Sequence, residues 1–252
     1  MGALHEGHLS LVRAAKKQTD IVAASIFVNP TQFGPNEDFS KYPRTFERDC
    51  ELLKNEGVDL LFAPSAEEMY PRGAVTWVTV EGLSDKLDGR SRPGHFRGVT
   101  TVVAKLFHVV EPDVAFFGQK DAVQLVLIRR MVRDLNMPVE IVGCPIVREK
   151  DGLAMSSRNA YLSAEERKSA LVLNDTLQAI KKRFDEGEKN SEKLISAGMD
   201  IFRREPLVRL DYLDIVDPET LDPLPFINRD TLAAVAACVG TTRLIDNITL
   251  TI

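Results

Sequence analysis

Hydrophobic positions along the first 150 residues switch repeatedly between a helical and a strand period. Leu9, Leu11, Val12 and Ala15 give an apolar stripe on a first helix. The following run, Ile21-Val22-Ala23-Ala24-Ser25-Ile26-Phe27-Val28, is nearly continuous, as in a strand covered on both faces. A polar stretch over 29–42 leads to a helix over 44–56 and a short strand, Asp59-Leu60-Leu61-Phe62. Residues 75–80 alternate as an edge strand does. Val99, Val102, Val103, Leu106, Phe107 and Val110 follow the spacing of a core helix. A strand over 114–117, a helix over 121–135 and a strand over 139–142 complete the series. Apolar strands separated by helices predict a parallel sheet with helices on both faces, whose ligands lie beyond the carboxyl ends of the strands. The expected fold is α/β, with a Rossmann-like nucleotide-binding domain over 1–148.

The remaining residues follow a different order. Ser163-Ala164-Glu165-Glu166 forms a capping box at the start of a long helix ending near Gly187. A second helix over 191–204 stops before Pro206, and strands follow near 208–216, 232–239 and 242–252. Helices followed by a run of strands predict a smaller α+β domain over 149–252. With no repeat and no low-complexity linker, the boundary is placed at 148–152.

Composition narrows the class. The 252 residues are 44% hydrophobic and 27% charged, values usual for a globular chain. A net charge of −5 argues against a general nucleic-acid binder, and Arg90, Arg92 and Arg97 form only a local basic patch. Cys50, Cys144 and Cys238 are widely spaced, which fits a reducing cytoplasm rather than a disulfide framework or a zinc site. No apolar window of about 18 residues occurs, so no membrane span is expected, and no secretory signal pattern opens the chain.

Candidate chemistry gathers at the predicted strand ends. His5-Glu6-Gly7-His8 puts two of the four histidines on one face at a helix N-terminus, where backbone N–H groups and the helix dipole favour phosphate. Asn29-Pro30-Thr31-Gln32-Phe33 carries amides suited to the hydroxyl and carboxylate groups of a small substrate. Gly118-Gln119-Lys120-Asp121, with Gln124 one turn on, combines a close-approach glycine, a phosphate-binding lysine and a ribose-binding carboxylate. Met155-Ser156-Ser157-Arg158-Asn159 offers two hydroxyls and a guanidinium to phosphate oxygens. Any one of these is also what a polar helix-capping turn looks like; three such loops at successive strand ends, with the histidine pair, make coincidence a poor account. There is no Walker loop, Gly-x-Gly-x-x-Gly fingerprint or nucleophile elbow. His108, Trp77 and Phe107 are read as packing residues.

These stretches, with Met1-Gly2-Ala3-Leu4 and Arg90-Ser91-Arg92-Pro93-Gly94-His95-Phe96-Arg97-Gly98, resemble the signatures of the pantothenate synthetase (pantoate–β-alanine ligase) family over essentially the whole chain. That family belongs to a wider nucleotidyltransferase group, and residues 155–159 are similar to the mobile lid of class I aminoacyl-tRNA synthetases. The resemblance implies an AMP-forming ligase that condenses pantoate with β-alanine through a pantoyl-adenylate, as a cytoplasmic, magnesium-dependent homodimer. It implies that Met1, His5, His8, Lys120, Ser156, Ser157 and Arg158 contact ATP, with Gly118 and Asp121 at the ribose and Val147 by the adenine. It further implies Gln32 and Gln124 on pantoate, Val102 and Val103 against its gem-dimethyl group, and Arg92 and His95 toward β-alanine. Metal ligands are not indicated. Members of the family carry a further helix and strand before the Met-Gly-Ala stretch, so the expected sheet lacks its central strand. Two other readings fit the residues: a nucleotidyltransferase that stops at the adduct, and an inactive nucleotide-binding chain.

Overall fold

A computed structural model describes residues 2–35 and 37–252. The expected contact of Met1 with ATP lies outside the described residues. The chain forms two compact units, one of Met1–Gln119 with Val123–Val147, the other of Lys120–Ala122 with Arg148–Ile252.

In the first unit the chain runs α1 (Glu6–Lys16), β1 (Ala23–Ser25), α2 (Phe46–Asn55), β2 (Leu60–Phe62), short α3 (Ala66–Met69) and α4 (Asp88–Ser91), α5 (His95–Val110), β3 (Val114–Gly118), α6 (Ala122–Asp134) and β4 (Glu140–Cys144). The single parallel sheet expected from the sequence is present as two parallel pairs. β1 runs beside β2 with Ala23 opposite Leu60, and β3 beside β4 with Val114 opposite Glu140. β1 and β3 are not hydrogen-bonded neighbours, yet both feed one core in which Phe116 and Ile26 pack against Leu4, Val12, Val22, Ala24 and Leu53. β1 keeps only the middle of its apolar run because its partner β2 is three residues long. Residues 75–80 are not a strand. Val78 donates its N–H to Thr101 Oγ1 at 2.9 Å and accepts from Thr100 Oγ1 at 2.7 Å, so hydroxyls of α5 take the place of a neighbouring strand.

The second unit contains α7 (Ala164–Ser169), α8 (Val172–Asp185), α9 (Ser191–Phe202) and the strands β5 (Val208–Val216), β6 (Thr231–Val239) and β7 (Thr242–Leu250). The single helix expected after Ser163 is divided at Ala170 and Leu171. There the ladder tightens, with Leu171 donating to Lys168 and Leu173 to Ala170 in i→i−3 bonds. The strands form an antiparallel sheet in the order β5-β6-β7. Its core joins Leu173, Leu177, Ile180 and Leu194 to Ile215, Val235 and Ala237. Among the described residues no helix is long and apolar enough to cross a membrane.

One buried side chain fixes the entry to α1. Asp49, on α2, is 1% exposed. Its two carboxylate oxygens accept the N–H groups of Ala3 and Leu4, each at 2.8 Å, and Oδ1 also accepts from Thr45 Oγ1 at 2.9 Å. Ala3 sits at φ 48°, a left-handed conformation that a residue with a Cβ adopts only when its surroundings impose it. Leu4 and Leu9, at the hydrophobic-staple positions around the helix start, are both buried. Asp49→Asn replaces one accepting oxygen with a donor that faces an N–H. Urea unfolding should show a loss of about 2–4 kcal/mol, and a change below about 0.5 kcal/mol would mean the turn is held elsewhere.

Candidate active site

His5 is the N-cap of α1 and His8 its third residue, and the two rings lie 4.0 Å apart at 40°. They cap the helix reciprocally. His5 Nδ1 accepts from the N–H of Gly7 at 3.2 Å, and His8 Nδ1 accepts from the N–H of His5 at 3.3 Å. Two backbone N–H groups that the sequence reading offered to phosphate are therefore taken by the imidazoles. With Nδ1 accepting, each neutral ring carries its proton on Nε2 and presents that N–H as a donor.

Gln32 lies on the 3-10 turn Pro30–Gln32 after β1, and a chain of polar groups fixes its backbone. Glu37 accepts from Arg92 Nε at 2.7 Å, and also from Nη2. Arg92 Nη1 lies 3.0 Å from His95 Nε2, and a guanidinium can only donate, so that nitrogen accepts. The proton of the neutral His95 ring is then on Nδ1, where it is donated to the Gln32 carbonyl at 2.7 Å. Arg92 and His95 thus reach the site through Gln32. Gln32 Oε1 accepts from Asn29 Nδ2 at 3.3 Å. Asn29 itself, 3% exposed, was expected to read substrate, but its side chain is engaged by the Gly98 carbonyl, Thr31 and the Tyr70 hydroxyl. Gly98 is required here, because a Cβ at that position would lie 2.5 Å from the Thr31 carbonyl oxygen. Gln124 is half-buried in the first turn of α6, and Val102 and Val103 are buried on α5.

Gly118 ends β3 with open space where a Cβ would stand, nothing lying within 4 Å. No neighbour in the protein excludes a side chain there, which leaves room for a ligand against the backbone. Val147 is half-buried beyond β4.

In the second unit Lys120 Nζ is 3.8 Å from Asp121 Oδ1, with the Asp121 side chain 50% exposed. Ser156 caps the 3-10 turn Ser157–Tyr161 by accepting the N–H of Arg158 at 3.3 Å. Ser157 and Arg158 are half-buried on that turn. A small pocket is lined by Lys120, Ala154, Ser156, Asn159 and Asp246 among others. Lys120 and Ser156, far apart in sequence, therefore share one cavity. Asn159 donates to Glu149 Oε1 and to the Ala154 carbonyl, while its own Oδ1 is buried with no partner.

Sequence reasoning did not find Asp49 or Glu37. Each is one acidic residue among 37 Asp and Glu, without a motif around it. Among the described residues no three His, Cys, Asp or Glu side chains gather as a metal site.

The family described as pantoate-beta-alanine ligase matches residues 1–249 of the chain. The pantothenate synthetase of Acidobacterium capsulatum is 65% identical over 250 residues, 99% of this chain and 84% of that protein. That of Koribacter versatilis is 60% identical, over 99% of this chain and 86% of its own length. A crystal structure of the Thermus thermophilus pantothenate synthetase superposes with a TM-score of 0.96 at 53% identity, covering 98% of this chain and 90% of that one. A Francisella tularensis pantoate-beta-alanine ligase, complexed with beta-gamma ATP and beta-alanine, gives 0.79 at 34% identity, covering 98% of this chain and 86% of that one.

The Glu37–Arg92 pair has a pH signature. Burial works to raise the Glu37 carboxyl, but the hydrogen bond and charge of Arg92 outweigh it and hold the group below the usual carboxylate value. A depressed pKa contributes stability that is complete at neutral pH and lost as pH falls through the folded-state value. The stability difference between the parent chain and Glu37→Gln, from unfolding at stepped pH, should be constant near pH 7 and shrink in acid below about pH 4. A difference that does not change with pH would remove the ion pair from this role.

Proposed function

Because the chain belongs to the pantoate–β-alanine ligase family, we propose a role for each of the site residues above in the ATP-dependent ligation it performs. Pantoate and β-alanine are condensed to pantothenate in two steps. The pantoate carboxylate attacks the α-phosphorus of ATP in line; a carboxylate–phosphorus bond forms, the bond to the bridging oxygen breaks, and pyrophosphate leaves. The free amine of β-alanine then attacks the acyl carbon, the amide forms, AMP leaves with its electron pair, and the amine's proton passes to solvent. The phosphoric anhydride supplies the electrophile, so the protein's part is positioning and charge stabilisation.

His5 and His8 donate from Nε2 to phosphate oxygens, and His8, one turn into the helix, is the nearer to the reacting phosphorus. Lys120, Ser156, Ser157 and Arg158 hold the phosphates and the departing pyrophosphate. The nucleoside rests on Gly118, with Asp121 accepting from the ribose hydroxyls and Val147 beside the adenine. Gln32 and Gln124 hold pantoate's hydroxyl and carboxylate groups, while Val102 and Val103 supply an apolar surface for its methyl groups. Arg92 and His95 position Gln32 from behind, on the side where β-alanine enters. The observation that carries this reading is the histidine pair, whose Nδ1 atoms are both committed to the backbone and whose Nε2 atoms are thereby donors.

Magnesium enters as the counter-ion of ATP, held by phosphate oxygens and water as this cation usually is. The partner is a second copy of the chain; the exposed Val75 and Trp77, 81% and 41% accessible, support an apolar contact on the first unit. The three free thiols support a reducing, cytoplasmic setting.

The test is to incubate the chain with ATP, magnesium and pantoate, with and without β-alanine, following pyrophosphate and AMP. Pyrophosphate should appear without the amine, and AMP with pantothenate only after its addition. In the same assay Lys120→Ala should slow pyrophosphate release by two to four decades, about 3–5 kcal/mol of lost charge stabilisation. An unaffected rate would remove Lys120 from the mechanism.

A further inference from the structure

Lys120 is held by its backbone from a distant part of the second unit. Its carbonyl oxygen accepts a hydrogen bond from Asn247 Nδ2 at 2.9 Å, across 127 residues of sequence. A carbonyl can only accept, so the nitrogen of that amide is the end that faces it. Asn247 lies on β7 and is 6% exposed, and its N–H donates to Asp246 Oδ1 at 2.8 Å. Asp246, 3% exposed, takes both arms of one guanidinium: Arg148 Nη1 donates to Oδ2 at 2.7 Å and Nη2 to Oδ1 at 2.9 Å.

Arg148 continues the connection. Its Nη1 also donates to the Gly152 carbonyl at 3.0 Å. Across the same turn Arg148 bridges Ala154, and Glu149 accepts from Asn159 Nδ2 at 2.9 Å. The turn runs directly into Met155-Ser156-Ser157-Arg158. Adjacent residues of β7 therefore grip two segments at once: Asn247 the Lys120 loop, Asp246 the stem of the serine–arginine turn. Both segments reach the pocket that Lys120, Ser156 and Asp246 line together.

We propose that Asp246 and Asn247 are positioning residues for the ligation, setting Lys120 in register with Ser156 and Arg158 around the ATP phosphates. The proposal rests on the phosphate-binding role given to Lys120 above. A lysine ammonium ends a flexible four-carbon stem, so its reach is only as well defined as the backbone carrying it. The bidentate Arg148–Asp246 pair is planar and directional, with the carboxylate buried and the guanidinium half-buried, so it holds its two ends in one geometry. Displacement of a phosphate contact by about 1 Å is enough to cost on the order of a hundredfold in rate.

The experiment measures calorimetric Kd values for ATP and for adenosine on four chains: the parent, Asn247→Leu, Lys120→Ala and the double variant. Pyrophosphate release is followed in parallel. Asn247→Leu keeps the bulk and removes the donor; Asn247→Ala replaces it if the leucine variant does not fold. ATP affinity should fall about tenfold in the Asn247 variant, as expected for one lost hydrogen bond transmitted to a charge contact. Adenosine affinity should stay at the parent value. The double variant should bind ATP no more weakly than Lys120→Ala alone, because the brace acts through the lysine. Equal losses for ATP and adenosine would make Asn247 a structural residue and overturn the proposal. So would additive losses in the double variant, or parent-like ATP binding in the Asn247 variant. Parent-like ATP binding in Lys120→Ala would overturn the lysine reading itself, and the brace with it.

Discussion

The carboxylate of Asp49, buried beneath the turn that precedes the first helix, sets the start of α1 and with it the placement of the histidine pair. Two successive N–H groups point at it from Ala3 and Leu4, and the chain accepts a left-handed Ala3 so that they can. A buried carboxylate left with fewer donors would be strongly disfavoured, so the geometry is enforced rather than tolerated. With Leu4 driven into the core and the turn closed, α1 can begin only at His5, and the two imidazoles fall into their capping positions. The tautomers of both rings follow from that start. The site's electrostatics thus descend from an acidic side chain on a different helix.

The same logic recurs at the other loops. Two of the polar turns, which have little regular hydrogen bonding of their own, are anchored through a carboxylate–guanidinium pair. Glu37 anchors Arg92 and, through His95, the carbonyl of Gln32. Asp246 anchors Arg148 and the stem of the serine turn. Rigid side chains on mobile connections would bind poorly; these connections are fixed by charge-assisted bonds to buried or half-buried acids.

Much of this was legible in the sequence, for reasons that are physical. Apolar spacing located α5 and α6 because long amphipathic helices carry many periods, and it located β5, β6 and β7 because each runs nine residues. The candidate loops stood out because polar residues cluster where strands end. Residues 75–80 misled because alternation reports burial on one side and not the identity of the partner, which here is a pair of threonine hydroxyls. The length of β1 could not be read from its own apolar run, since the limit lies in β2. Asp49, Glu37 and Asp246 were invisible because their partners are 46, 55 and 98 residues away. Asn29 was visible but misassigned: the motif marked it as polar, and only its burial reveals that the protein already uses it.

The bond between Asn247 and the Lys120 carbonyl also has a history in time. During synthesis Lys120 leaves the ribosome long before its partner, because 127 residues separate them. At about 5–20 residues per second that interval is roughly 6–25 s. Throughout it the lysine loop has no β7 to hang from, while α1 and its histidines are already made. The bond that ties the Lys120 loop to β7 is therefore among the last the nascent chain can form, and it arrives with the third strand of the antiparallel sheet.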